Sequence, residues 1–256
     1  PGSRILDRHR LSCWRPIGHG SQNLAEGVQN SCNCVFMDLA LKLGTDNLYD
    51  GLNKFGFGSK TGIDFFGESS GIMMKRDGVK NVDLARIGFG QAVAVTPVQL
   101  AAGVCAVVNG GKKVTPHFVD RIESVDGREI YRFTDIKQQI LSAETSSLMR
   151  ELLLNVVNNG GGKKAAVEGY EIGGKTGTAQ KYENGAIASG KYVSSFVGFA
   201  PADDPKYVIL MTVDEPTAGA YYGSIVAAPY VGRVFSKIFY YEQIEPTTPN
   251  KEEEYV

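Results

Sequence analysis

Two segments far apart in the chain carry residue types that could carry out acyl transfer together: Ser31-Cys32-Asn33 and Lys175-Thr176-Gly177-Thr178-Ala179-Gln180. A serine hydroxyl both donates and accepts, so Ser31 can relay a proton toward a leaving amine. Lys175 supplies positive potential, which favours an ionised cleft and attracts a terminal carboxylate. Acyl transfer also requires an attacking serine with a base beside it. A Ser-x-x-Lys would supply both, yet no serine of the 256 residues has a lysine three places on. These residue types suit an acyl-transfer site whose attacking residue lies elsewhere.

Each segment has a rival. Lys-Thr-Gly also occurs at Lys60-Thr61-Gly62, inside a stretch crowded with glycines that suits a tight turn. The copy at Lys175 continues an alternating strand pattern, where a lysine can face a cleft. Ser21-Gln22-Asn23 repeats the Ser-x-Asn wording, but Ser21 stands where a helix should begin and is predicted to be its N-cap. Ser31 and Asn33 interrupt a helical periodicity with unfavourable polar residues, as a cleft-facing turn would. Gly169 to Thr176 also fits a phosphate-binding loop, and the run ending at Asp214-Glu215 imitates its partner strand. A nucleotide-binding reading needs a helix to open after Thr176, and Gly177 to Gly185 has no apolar stripe.

The elements that must position these residues follow from apolar spacing and breakers. Leu24, Val28, Phe36, Leu39 and Leu43 recur at near-helical intervals up to Gly44, and Thr45 could cap a helix reaching Phe55. A glycine-rich loop runs to Gly71. Thr96-Pro97-Val98-Gln99 predicts a capping box with proline in the first turn, and Asn109-Gly110-Gly111 the stop. Phe118 to Phe133 reads as a hairpin turning at Asp126-Gly127, and Ser142 as the cap of a helix ending at Gly160. Strands are expected at Tyr170 to Gln180, Tyr192 to Ala200 and Tyr207 to Asp214, then a helix from Ile225 to Tyr241. The expectation is an α/β (α+β) fold: an antiparallel sheet flanked by helices, with a helical lobe.

A formal charge of -1 and 43% hydrophobic residues describe an ordinary globular chain with no reason to seek nucleic acid. No apolar run approaches the roughly 18 residues needed to span a membrane. Cys13, Cys32, Cys34 and Cys105 lack the paired Cys-x-x-Cys spacing of common zinc sites, so no metal is expected; Cys34 and Cys105 read as ordinary thiols. Cys13 and Cys32 form a candidate redox pair if the fold brings them close. His9, His19 and His117 are expected to be structural.

The chain resembles the class B penicillin-binding proteins, monofunctional D,D-transpeptidases of bacterial wall synthesis. Ser31-Cys32-Asn33 and Lys175-Thr176-Gly177 match two of that family's three motifs. Cys13-Trp14 with His19-Gly20, Phe55 to Gly58 before Thr61-Gly62, Ile87 to Gln91, Thr96 to Gln99, Gly174 to Gln180, Tyr222-Gly223 and Ala227 to Pro229 occur in the family's order. The similarity covers nearly the whole chain, and Asn30 to Asn33 is worded most like Gram-positive division or sporulation members. One departure is Gly161, where the family usually carries Gly-Thr-Gly.

The resemblance implies a penicillin-binding/β-lactamase-like transpeptidase fold without its N-terminal part: residues 1–244 as the downstream part of the domain, 245–256 as a disordered tail. Asn33 would hold the catalytic lysine and the substrate carbonyl. The Thr176 and Thr178 hydroxyls would bind the terminal carboxylate, and Gly177 would belong to the same substrate and oxyanion strand. The Thr178 N–H would be half of the oxyanion hole, and Gln180 would border the channel. Peptidoglycan stem peptides and β-lactams are the implied ligands, with no cofactor. The implied partners are an upstream segment of the same protein and a glycosyltransferase. The implied location is the extracytoplasmic face of the cell membrane, anchored by a helix outside this chain. Alone, the chain is predicted to be inactive. The alternatives are a D,D-carboxypeptidase, a β-lactam sensor and a non-catalytic envelope scaffold.

Overall fold

The structure is a computed structural model that describes residues 2–135, 137–183 and 186–247. The chain opens with the hairpin β1 (Ser3–Leu6) and β2 (His9–Ser12). Helices α1 (Leu24–Gln29), α2 (Asn33–Leu43), α3 (Thr45–Phe55), α4 (Asn81–Gly88) and α5 (Pro97–Val108) follow. Two small ladders come next: β3 (Lys112–Lys113) pairs with β6 (Gln138–Gln139), and β4 (Arg121–Glu123) with β5 (Glu129–Arg132). The long helix α6 (Ala143–Asn159) leads into β7 (Gly173–Glu183), β8 (Ala186–Ala200) and β9 (Tyr207–Asp214). Helices α7 (Gly223–Val226) and α8 (Ala228–Tyr241) complete the order.

The last three strands form one antiparallel sheet in the order β7-β8-β9, with Lys175 opposite Val197 and Val197 opposite Leu210. Strand alternation gives the sheet two faces. Phe199 packs with Val108, Ala202, Val104 and Leu153, which places α5 and α6 over one face. Phe196 packs with Val231, Phe235 and Phe239, which places α8 over the other. The expected sheet flanked by helices is therefore present, with Met37, Val82, Ala85 and Leu11 forming the core of the helical lobe. Val28 of α1 against Leu152 and Val156 of α6 joins lobe to sheet layer. Gly173 and Gly174 precede Lys175 for a packing reason: a Cβ on either would collide with the ring of Phe199 or Phe196.

Several boundaries differ from the sequence reading. The near-helical stretch from Leu24 to Leu43 is two helices, broken at residues 30–32, where the polar interruption pointed to a turn. Its cap is Asn23, not Ser21: the Asn23 side chain accepts from the Glu26 N–H and Glu26 returns the bond, each at 2.9 Å. Thr45 is the first residue of α3 and Gly44 its cap. Strands β7 and β8 run further toward their shared turn than predicted, and Tyr170 bridges Val167 instead of starting β7. The closing helix breaks at Ala227, just before Pro229, which has no N–H to continue a ladder. In the tail expected to be disordered, the Thr247 hydroxyl accepts from Glu171 N–H at 2.7 Å and its N–H donates to Gly169 at 2.8 Å. Residues 248–256 lie outside the described residues.

Candidate functional site

The Ser31 turn is a helix C-terminus of recognisable form. Past the cap residue Asn30, Ser31 adopts φ 49°, Ser31 N–H donates to Val28 and Cys32 N–H donates to Gly27 at 2.9 Å. That pair of bonds is a Schellman motif, whose left-handed position glycine usually fills. A serine there costs roughly 1 kcal/mol or more, a strain at the residue whose hydroxyl meets Lys175. Asn33 then begins α2, so the two polar residues of the motif sit on either side of a helix-to-helix corner.

Lys175 meets that corner from the sheet. β7 is an edge strand, and Lys175 lies on the face covered by α5 and α6. Its Nζ donates to Ser31 Oγ at 2.7 Å, across 144 residues of sequence, and to the Thr176 carbonyl at 3.2 Å. The residue is only partly exposed, and burial of its ammonium end lowers its pKa to about 8. Near neutral pH the ammonium form predominates, and deprotonation begins within reach of physiological conditions. The structure thus brings together two predicted residues that the sequence could only name separately.

The remaining predicted residues are placed as follows. Asn33 Nδ2 donates to the Ser12 carbonyl at 3.2 Å, leaving its Oδ1 as an acceptor. Alternation puts Thr176 and Thr178 on the opposite face of β7 from Lys175. The Thr178 hydroxyl accepts from Gly223 N–H at 3.1 Å and keeps its own proton to donate. Gly177 approaches the start of α7 closely: a Cβ on Gly223 would collide with the carbonyls of Ser195 and Gly177. Gln180 is exposed at the far end, opposite Tyr192. A Cβ at Gly161 would lie 3.9 Å from Thr176 Oγ1, so the departing loop borders this strand.

The rival motifs are placed elsewhere. Lys60 is exposed in the loop, and Thr61 and Gly62 bind Glu68. Thr176 lies in mid-strand, so the nucleotide-loop wording opens no helix and lacks the N-terminus that would hold phosphates. His117 stacks on Phe133 at 3.5 Å.

Local sequence gave no indication of how the Cys13-Trp14 segment supports the turn. Trp14 Nε1 donates to the Asn30 carbonyl at 3.0 Å, and Cys13, Cys32 and Cys34 form one buried cluster. The four cysteines are free thiols. Cys34, read as an ordinary thiol, therefore shares a cluster with the candidate redox pair. Burial raises the Cys32 thiol pKa.

Residues 5–239 match the penicillin binding protein transpeptidase domain family. Stage V sporulation protein D of Bacillus subtilis is 45% identical over 235 residues, covering 91% of this chain and 36% of that protein. The peptidoglycan D,D-transpeptidase FtsI of Escherichia coli (strain K12) is 31% identical over 230 residues, covering 88% of this chain and 37% of that one. The chain thus spans little more than a third of the length of these relatives. Among solved structures, penicillin binding protein 3 of Mycobacterium tuberculosis complexed with ampicillin superposes with a TM-score of 0.87 at 29% identity, covering 98% of this chain and 58% of that one.

Proposed function

The chain belongs to the penicillin binding protein transpeptidase domain family, and on that premise we propose that it forms the downstream part of a peptidoglycan D,D-transpeptidase. The observation that carries this reading is the 2.7 Å bond from Lys175 Nζ to Ser31 Oγ. In the reaction, a serine oxygen attacks the penultimate carbonyl of a D-Ala-D-Ala stem peptide. The terminal D-alanine leaves with a proton, and an acceptor amine then displaces the serine from the acyl ester. Ser31 relays the proton to the leaving amine, and Lys175 draws the terminal carboxylate to the edge of β7. The Thr178 hydroxyl proton is available to that carboxylate, and the Thr178 N–H serves as half of the oxyanion hole. Asn33 Oδ1 faces the lysine of the Ser-x-x-Lys, which these residues do not contain and which a further part of the protein supplies. A β-lactam enters by the same attack and stays as an ester.

The protein acts at the extracytoplasmic face of the cell membrane, held by an anchor outside these residues and working beside a glycosyltransferase. Among the described residues, no helix is long and apolar enough to cross a membrane. The whole protein, incubated with a stem pentapeptide and an acceptor amine, is expected to yield the cross-linked product by mass spectrometry. Hydrolysed tetrapeptide alone would favour a carboxypeptidase, and neither product nor penicillin adduct would leave a scaffold. These 256 residues alone are expected to form no penicillin adduct.

A further inference from the structure

Cys13, just after β2, His19, in the loop that follows, and Cys32, at the helix corner, each point one ligand-type atom into a common space. The two sulfurs and one imidazole nitrogen all lie within 4.8 Å of one another. The Cys13 Sγ to His19 Nδ1 distance is 3.7 Å. Tetrahedral zinc, with bonds of about 2.3 Å to sulfur and 2.0 Å to nitrogen, holds such atoms about 3.5–3.8 Å apart. Small side-chain rotations therefore bring the set to coordinating distance. Ligands gathered from three separate elements need no Cys-x-x-Cys spacing.

A second observation concerns the imidazole itself. His19 Nδ1 meets only Cys13 Sγ, Nε2 is buried without a hydrogen-bond partner among the described residues, and the ring leans on Trp14 at 5.2 Å. Its polar capacity is thus not consumed by a structural network. A neutral imidazole can ligate through Nδ1 while Nε2 carries the proton.

We infer that Cys13, His19 and Cys32 form a binding site for a soft divalent cation of the zinc type, with a fourth position left for water. Binding converts two thiols to thiolates and releases two protons to solvent, so the bound site carries no net charge. Competition with those protons makes affinity fall steeply as pH drops. The cation would tie the end of β2 and its following loop to the Schellman turn, one residue from Ser31. Nothing in this depends on the acyl-transfer reading. Cys34 shares the buried cluster but lies outside the ligand set, which makes it the internal control.

The test uses the whole protein, purified with reductant and stripped by chelator, then titrated with Co²⁺ and afterwards Zn²⁺. The expected result is a thiolate-to-cobalt charge-transfer band with the visible bands of tetrahedral cobalt, saturating at one ion per chain and bleached by zinc. Cys13→Ser and Cys32→Ser should abolish the band, His19→Ala should weaken binding roughly tenfold or more, and Cys34→Ser should leave it. Zinc-edge X-ray absorption on the unsubstituted protein needs no variant and should show two sulfurs and a nitrogen. A zinc shell without sulfur, a cobalt band that survives Cys32→Ser, or reduced protein that takes up no cobalt would overturn the inference.

Discussion

Lys-Thr-Gly occurs twice in this chain, and the two copies show what a tripeptide decides by itself. At Lys60-Thr61-Gly62 a carboxylate is already bound, and it is the chain's own. Glu68 accepts from the Thr61 hydroxyl and N–H at 2.6 Å and from Gly62 N–H at 3.2 Å. At Lys175-Thr176-Gly177 the lysine is buried against Ser31, and Gly223 N–H takes only an acceptor site of Thr178. Both copies have the chemistry of a carboxylate site. One is satisfied within the fold, and the other keeps its donors toward an edge strand. The difference lies in the neighbours that tertiary structure supplies.

The sharpest way to break the comparison is to delete each lysine in the whole protein. Lys175→Ala is expected to slow penicillin acylation about 100-fold or more, roughly 3 kcal/mol of transition-state stabilisation. Lys60→Ala should change it less than about twofold. Stopped-flow acylation rates measure both, and equal effects would remove the distinction.

The first copy's loop is built to stay closed, and Gln99 closes it. Gln99 is 2% exposed, and its Nε2 donates to the carbonyls of Ser59 at 2.7 Å and Ser70 at 2.9 Å. Gln99→Leu removes both bonds and should cost about 1–2 kcal/mol in denaturant unfolding. A loss below about 0.5 kcal/mol would mean that the loop does not rely on this residue.

The second copy also has a pH dependence of its own. Because Lys175 titrates near pH 8 in the fold and near 10.4 when unfolded, its attraction for a carboxylate fades above about 8. Acylation attributable to the ammonium should therefore fall about tenfold between roughly pH 7 and 9, and Lys175→Arg should flatten that limb. The stability consequence has the opposite sign. The unfolded chain binds the extra proton between these values, so stability rises with pH across that window. Unfolding of the wild type against Lys175→Met, repeated from pH 7 to 10, reads this directly.

Ser31 isolates backbone strain from chemistry. Ser31→Ala and Ser31→Gly both remove the hydroxyl and its bond to Lys175, yet only glycine accepts φ 49° freely. The glycine variant should be about 1 kcal/mol more stable than the alanine variant, with both slow in acylation. Equal melting curves would argue against strain at this corner.

The smallest effect belongs to Glu68. Its carboxyl is held below the usual range, chiefly by the Thr61 hydroxyl and also by the Thr61 and Gly62 N–H groups. The stability it adds is present above its unfolded pKa and fades as pH falls through the lower folded value. Glu68→Gln should remove that acid-side dependence and leave acylation unchanged.

Elements with local causes were legible in the chain before any contact was known. The capping box at Thr96 and Gln99, the Ser142 cap, the turn at Asp126-Gly127 and the glycine stops all depend on residues within a few positions of one another. The sequence also marked residues 30–33 as a break in an apolar period, because polar residues there contradict a continuous helix. What it missed is chiefly long-range. A local miss is the cap: Asn23 displaced Ser21 because only Asn23 has Glu26 three places on to return its bond. The approach of Lys175 to Ser31, the Glu68 that fills the first copy, and the meeting of Cys13, His19 and Cys32 all join separate elements. Such contacts are created when β7, the α1–α2 corner and the loop after β2 pack together. Spacing along one strand or helix describes only the neighbours that a single element brings close, so those contacts were left for the tertiary structure to decide.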